Sequence, residues 1–294
     1  MNFVRRGLTM VFAGSIFLAG CQSARVSDPD HVVIGTFNIE WLGDGVDDQK
    51  PRTEDDYRRI ADVIDRTGAD VLGLQEIESK QALDRVLRYL PGHTGMVYEA
   101  GIEQNVGVVF RKGEITVDSI GPYMPLTLSL SRMRPGFVVS CTKGDVRWLM
   151  MVVHLKSTSR YDSTDALREE SRVIRGKQVA MLRSWSDSVV KSTTVKNVMI
   201  VGDFNDFTGR RSDQATLTSL INSTEMSFLT GALKSCKNPN WYVIDHVVAS
   251  KSMRDRMVPS SERVDDPKAY LPNRDASAVS DHCPVVVRFV TRTQ

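Results

Sequence analysis

The sequence predicts an α/β fold in one large domain. Short apolar runs rich in Val and Ile recur along the chain, amphipathic helical segments lie between several of them, and nothing resembling a linker divides residues 32 to 292. A chain of 294 residues can bury a sizeable core. Its apolar and charged shares, 41% and 25%, are those of ordinary globular proteins and exclude a disordered or collagen-like class. No internal repeat or low-complexity tract interrupts the pattern.

Taken in order, VVIGTFNI (32–39) is the first strand. TEDDYRRIADVIDRTG (53–68) follows as a helix: Thr53 stands three residues before Asp56 as an acidic capping box, Tyr57, Ile60, Ala61 and Ile64 share one face, and Gly68 ends it. DVLGLQ (70–75) is the next strand. SKQALDRVLRYLPG (79–92) is the next helix, with Leu83, Val86, Leu87 and Leu90 on one stripe and a proline to close it. VGVVFR (106–111), GFVVSC (136–141) and WLMMVVHL (148–155) read as buried strands bounded by Gly, Asp, Asn or Pro. Residues 164–191 carry a helical pattern with an expected interruption at Gly176. NVMIVG (197–202) is a strand, SDQATLTSLIN (212–222) a helix, and WYVIDHVVAS (241–250) and PVVVRFV (284–290) the last two strands. The absence of G-x-G-x-x-G after the first strand disfavours a dinucleotide-binding fold.

Residues 1–20 read as a signal peptide rather than as part of the domain. They hold Arg5 and Arg6, then a 14-residue stretch from Gly7 to Gly20, too short to span a bilayer comfortably. Leu18 to Cys21 resembles the lipobox of bacterial lipoproteins, which puts lipid on Cys21, a polar tether over 21–31 and the catalytic domain at 32–294. An ordinary export signal or a short uncleaved anchor is the alternative. Several acyl chains, at roughly 0.8 kcal/mol per buried methylene, would hold the domain on a membrane. Gln22, rather than an aspartate, follows the cysteine, which points to the outer membrane.

Cleavage changes the charge balance. The 38 basic residues less Arg5 and Arg6 leave 36, against 36 acidic, so bulk charge does not select nucleic acid over other substrates. Local clusters remain at Arg132 and Arg134, at Arg168, Arg172, Arg175 and Lys177, and at Arg210 and Arg211; each is either a polyanion path or a solvated face. After Cys21 there are Cys141, Cys236 and Cys283, of which an exported protein could pair two; their spacing fits no structural zinc site.

Polar residues collect at the strand ends. Asn38 and Glu40 end the first run, Gln75 and Glu76 the second, with Glu78 beyond. His154 lies near the end of the fifth with Lys156 just after it, and Asp203 and Asn205 follow the sixth. Asp245 and His246 lie within the seventh, and Ser280, Asp281 and His282 precede the last. Taken singly, Asp281 reads as a turn residue and Asp245 as a satisfied strand polar group. Repetition at six strand mouths points instead to one rim carrying function. Hard oxygen donors such as Glu76, Asp281 and Asn38 suit Mg²⁺ with waters and a substrate phosphate, and histidines with an Asp/Asn pair can handle protons. His246, next to Asp245 in a strand, should face away.

The ordered motifs TFNIEW, LGLQEIE, VGVVFRK, VVHLKS, VGDFND, IDHVVAS and SDHCPV, from residue 36 to 285, resemble the endonuclease/exonuclease/phosphatase (DNase I-like) superfamily. The resemblance implies a four-layer α/β sandwich: two face-to-face mixed β-sheets flanked by helices. It further implies a metal-dependent phosphodiesterase using Mg²⁺, with Mn²⁺ or Ca²⁺ as substitutes. Glu76 is then the first metal ligand, Asp281 lies near the metal, and Asn38 orients ligand or phosphate. Asp203 positions or deprotonates the attacking water, and Asn205 holds that water or a phosphate oxygen. His282 contacts the scissile phosphate, Asp245 fixes its tautomer, and His154 is the candidate acid for the leaving oxygen. Arg210, Arg211 and Lys156 are candidate phosphate contacts. Asp206 is expected to cap or solvate the turn after the sixth run.

The extra histidine and HLKS resemble the DNase I-type branch, so a nuclease acting on DNA or RNA is the first expectation. A sphingomyelinase-like or other small phosphoester hydrolase is the alternative, and a catalytically silent binding protein on the same fold a distant one. No obligate protein partner is evident. The sequence departs from secreted nucleases in lacking a cysteine in the GDFN loop and in having one half of any comparable disulfide.

Overall fold

A computed structural model describes residues 28–192 and 195–292. The expected signal peptide, Cys21 and the tether up to residue 27 lie outside the described residues. The domain begins slightly earlier than expected. The Asp28 carboxylate pairs with Arg288 and lies 3.1 Å from His31 Nδ1, and the Thr291 N–H donates to the Asp30 carbonyl at 2.8 Å.

In chain order the elements are β1 His31–Leu42, α1 Glu54–Arg66, β2 Val71–Ile77, α2 Lys80–Leu87, β3 His93–Tyr98, β4 Asn105–Arg111, β5 Thr116–Tyr123, β6 Gly136–Lys143, β7 Val146–His154, α3 Asp165–Ser192, β8 Val198–Asp203, α4 Thr218–Ile221, β9 Met226–Phe228, β10 Asp245–Ser250, α5 Lys251–Arg254, β11 Arg263–Val264, α6 Asn273–Val279 and β12 Val285–Val290. They form two six-stranded sheets, ordered β11-β12-β1-β2-β4-β3 and β5-β6-β7-β8-β10-β9. The pairs β1/β2 and β7/β8 are parallel and the other pairs antiparallel.

Alternation along each strand builds the layers. From β1, Val32 and Ile34 enter a core between the sheets, where they join Val139, Trp148, Met150, Val152, Val201 and Val247. Val33, Phe37 and Ile39 face the other way, into a second core with Tyr57, Ile60 and Ile64 of α1 and Leu83 and Val86 of α2. A third core sets Val153, Val198 and Ile200 against Val179 and Leu182 of α3. The expected four-layer sandwich is what the chain forms.

Helix α1 carries the expected reciprocal Thr53–Asp56 cap. Two helix expectations need correction. Helix α3 runs unbroken through Gly176, which faces open space, because the packing of Gln178, Val179 and Leu182 outweighs a glycine cost of about 1 kcal/mol. In 212–222 only Thr218–Ile221 is helical: Asp206 takes the Thr216 N–H and hydroxyl, and these bonds compete with a helical start. The seventh strand is shorter than expected, beginning at Asp245, because Trp241 is turned back by its N–H bond to the Asn238 carbonyl. Cys236 and Cys283 form a disulfide, two of the three cysteines that an exported chain could pair; Cys141 is free and buried.

Candidate active site

The C-terminal ends of β1, β2, β7 and β8 and the N-terminal ends of the antiparallel strands β10 and β12 meet at one rim. Asn38 stands opposite Gln75 where the β1/β2 register shifts, His154 pairs with Asp203 across β7/β8, and Asp203 pairs with Asp245 across β8/β10. Gly202 permits this closeness. Its φ is +151°, and a Cβ there would lie 2.0 Å from the Val153 carbonyl oxygen.

Backbone irregularity aims two groups. The β1/β2 ladder slips between Asn38 and Leu42, with Glu40 and Trp41 at φ +54° and +57°. The β2/β4 ladder slips between Gln75 and Ile77, with Glu76 at φ +61°. These bulges let Glu76 leave the strand alternation and turn to the rim. One Glu76 oxygen accepts from Asn38 Nδ2 at 3.2 Å and the other from the Trp41 N–H at 3.2 Å. Asn38 Nδ2 also donates to Asp203 Oδ2 at 3.1 Å, which bridges a carboxylate of each sheet. The Asn38 Oδ1 accepts from the Glu40 N–H at 2.9 Å, so this residue orients carboxylates rather than offering its oxygen to an ion.

Asp203 is buried and its Oδ1 accepts the Asn205 N–H at 2.7 Å. Asn205, at φ +53°, donates from its amide to the Leu155 carbonyl at 3.1 Å. His282 Nδ1 lies 2.7 Å from Asp245 Oδ2, while Nε2 lies between Asp203 Oδ2 at 3.9 Å and Asp281 Oδ1 at 3.8 Å. Ser280 holds this segment: its hydroxyl donates to the Asn38 carbonyl and accepts the His282 N–H. His154 Nε2 sits 3.6 Å from Asp203 and 3.7 Å from Glu76.

The electrostatics separate the groups. Burial, together with Asp245, pushes Asp203 up to about 7. Burial opposes charge on His282, but Asp245, Asp203 and Asp281 outweigh it and raise the imidazole to about 10. Burial raises Glu76, against partial relief from Asn38 and Arg134. Asp281 falls below the ordinary range, because His282 and Lys237 offset its burial. His154 is held well below its ordinary value by burial and by Arg134 and His282, so it is neutral and suited to donating a hydrogen bond rather than to carrying a full proton.

The remaining expected contacts divide. Arg210 pairs with buried Asp206 and lies over the Phe207 ring, so its charge is occupied within the loop. Arg211 pairs with Asp213 at 3.1 Å on the surface. Lys156 Nζ bonds the Ser157 carbonyl at 2.6 Å and lies 3.6 Å from Asp162. Arg175 is buried on Thr216 and the Lys156 carbonyl, as scaffold rather than polyanion path. Asp206 is buried rather than solvated: it accepts from the Phe207 N–H and from Thr216, and its carbonyl meets His246 Nε2 at 3.0 Å. His246 faces away from the site, as strand alternation predicts.

Arg52 escaped the sequence reading, and Glu40 and Arg134 entered it only as a polar strand end and as part of a charge cluster. Arg134, tied to Gln104, is the cation acting on Glu76, Asp203 and His154; it was visible only as half of a surface-like charge pair. Glu40 accepts the Asp281 N–H at 2.8 Å and Lys50 at 2.6 Å, and so steadies the Asp281 turn. Buried Arg52 binds the Ile39, Glu40 and Ala278 carbonyls and clamps the β1 bulge to α6. No sequence signal separates these from surface charges.

The donor chemistry fits a hard divalent cation. Glu76 is a largely buried carboxylate with, among the described residues, two hydrogen-bond donors in place, and Asp281 is a second carboxylate on the same rim. Asp203, Asp245 and His282, whose polar atoms come within 4.8 Å of one another, form a proton-handling group, since His282 Nδ1 is already bonded to Asp245.

A four-layer sandwich that gathers carboxylates, amides and imidazoles from both sheets on one rim has the groups that phosphoester hydrolysis with a divalent ion requires. Residues 35–282 match the family model described as Endonuclease/Exonuclease/phosphatase family, and the chain belongs to that family. Among solved structures it is similar to truncated TDP2 of Caenorhabditis elegans, at 17% identity and TM-score 0.61 over 88% of this chain and 98% of that one. It is similar to D. rerio TDP2 complexed with single strand DNA product, at 16% identity and TM-score 0.61 over 88% and 98%. It is also similar to the Bacteroides thetaiotaomicron mannosyl-6-phosphatase Bt3783, at 13% identity and TM-score 0.56 over 87% and 98%. At such identities these likenesses establish the fold. No curated protein matches the chain in sequence.

Proposed function

We propose that this enzyme is a Mg²⁺-dependent phosphodiesterase, exported and membrane-anchored through lipid on Cys21, that hydrolyses nucleic acid by in-line attack of water on phosphorus. The observation that carries the reading is the His282–Asp245 pair at 2.7 Å, with Nε2 free to face Asp203 and Asp281. Asp245 fixes the tautomer and stabilises the charged ring, so His282 donates from Nε2 to a phosphoryl oxygen. Asp203, with Asn205, positions the water and accepts its proton; a carboxylate pushed up to about 7 is a far better base than an ordinary one. His154 donates its N–H toward the leaving oxygen. Glu76 and Asp281 would hold Mg²⁺, oriented by Asn38, and the bound ion supplies positive charge to the phosphoryl group. The TDP2 structure with a single strand DNA product supports nucleic acid as the substrate class, as that protein shares the fold.

The test offers the chain plasmid DNA, RNA, sphingomyelin and a phosphomonoester, with Mg²⁺ and with chelator. Plasmid nicking that needs the metal and disappears in His282→Ala supports the reading. Choline-phosphate release with plasmid left intact selects the sphingomyelinase-like alternative. A fully active His282→Ala enzyme would sink the mechanism.

A further inference from the structure

We propose that the groove beside His282 is a nucleobase subsite, in which Trp241 is the stacking ring and Lys237 the cation for an adjoining phosphate. The proposal rests on the nucleic acid reading above.

A cavity of about 170 Å³ opens next to the site, and His282, Asp281 and Asp245 form part of its wall. A substrate group that fills it would therefore lie next to the phosphate that His282 faces. The rest of the wall includes Val243, Ile244, Val264 and Val285, a lining suited to a flat apolar face. Trp241 stands at this cavity 58% exposed, and among the described residues no aromatic or cationic group is seated on its ring. Its neighbour Tyr242 is different: that ring stacks on Phe207 at 6.0 Å and carries Lys234 Nζ 3.4 Å from its centre.

The loop presenting Trp241 is fixed before any ligand arrives. The Trp241 N–H donates to the Asn238 carbonyl and its carbonyl accepts the Ser235 N–H, both at 2.9 Å. The Val243 N–H donates to the Leu233 carbonyl at 3.1 Å. The Cys236–Cys283 disulfide ties the loop to the residue after His282. An indole carried on so tied a backbone orders little more of the chain when it stacks.

Charge narrows the ligand class. Lys237 Nζ lies 3.0 Å from Asp281, with the side chain still half exposed, and Lys234 occupies the Tyr242 ring. These cations oppose a quaternary ammonium headgroup, which would otherwise suit aromatic walls. A neutral planar base joined to a phosphate satisfies both the ring and the lysine. Stacking of this kind tolerates every base, so cleavage should show little sequence preference.

The experiment uses the full chain with Mg²⁺ on a thymidine dinucleotide and on two analogues in which one or the other base is replaced by hydrogen. Trp241→Ala should raise KM for the complete dinucleotide roughly ten-fold, the stacking range, and raise it far less for the analogue lacking the stacked base. Trp241→Phe should restore most of the affinity, and the unfolding temperature of Trp241→Ala should match wild type. An equal effect on all three substrates, or no effect, overturns the subsite while His282-dependent cleavage leaves the nuclease reading standing. Hydrolysis of sphingomyelin with no cleavage of any dinucleotide or longer DNA overturns both.

Discussion

Replacing both Cys236 and Cys283 with serine should cost this domain about 4 kcal/mol. The two residues are 47 apart in sequence and close a loop that contains Lys237, Trp241 and all of β10. In the chain-entropy model a loop of that length removes about 14 cal/mol/K from the unfolded chain, or about 4 kcal/mol at 25 °C. The native contacts around the bond are local and survive its loss, among them the Lys237–Asp281 pair and the Leu233–Val243 bond, so native-state compensation should be small. For a domain of this size the loss corresponds to a fall of roughly 10 °C in unfolding temperature. Urea melts of wild type and variant, each with and without dithiothreitol, measure it. The reductant should bring wild type to the variant's midpoint and leave the variant unchanged. A difference under about 1 kcal/mol in oxidising buffer would refute the reasoning, since it would mean other contacts already restrict the loop.

Other outcomes follow from the same geometry. Asp203→Asn should lower kcat by roughly 10² to 10⁴ with an unchanged circular dichroism spectrum, as expected for loss of a proton acceptor. Asp206→Asn should instead lower stability by about 1–3 kcal/mol while folded molecules keep turning over, because its buried carboxylate serves Arg210, Phe207 and Thr216 rather than the phosphate. Arg134→Ala should lower the Mg²⁺ needed for half-activity, because its charge beside Glu76 opposes a cation there; a metal titration that does not move removes Arg134 from the site. Burial holds His93 and His246 down to about 4 in the folded chain, against about 6.5 unfolded. Their depressed values cost nothing above pH 6.5 and weaken the fold as pH falls from 6.5 towards 4, because only the unfolded chain then takes up protons. Together they should contribute a loss of about 2–4 kcal/mol between pH 7 and pH 5, opposed by the raised Asp203 and His282, and urea melts of His93→Gln at the two pH values should show about half of that contribution removed.

The strands legible in the sequence were the interior ones. β1, β2, β4, β6, β7, β8, β10 and β12 are covered on both faces, so they appear as unbroken apolar runs. The four missed strands, β3, β5, β9 and β11, are the four sheet edges. Five of the eight residues of β5 are exposed, and β11 is two residues long; such strands form because a neighbour offers hydrogen bonds, not because their own sequence is apolar. The site divides in the same way. Residues that lie at the ends of interior strands, Glu40 included, could be listed in advance, whereas the roles of Arg134 and Arg52 are set in loops whose path only tertiary packing decides.

The two sheets carry the same design, and this explains why polar residues recur at six strand mouths. In one sheet the run β2-β1-β12 is a parallel pair followed by an antiparallel strand; in the other the run β7-β8-β10 repeats it. A parallel pair ends on the rim where the next antiparallel strand begins, so each run delivers three mouths to one edge. The first run brings Glu76, Asn38 and the Asp281–His282 segment, and the second brings His154, Asp203 and Asp245. Face-to-face packing of β1 on β8 and β10 then joins the halves, through Asn38 to Asp203 and through His282 to Asp245. Neither half is complete alone: the imidazole comes from one sheet and the carboxylate that fixes it from the other. Any change that shifts the sheets against each other by an ångström should therefore impair catalysis before it impairs folding, because these cross-sheet bonds at 2.7 and 3.1 Å have no slack while the apolar interface between them can repack. Trp148→Phe, a volume change in the middle of that interface, tests this: its kcat should fall by a larger factor than its folded fraction, and equal falls in both would refute the coupling.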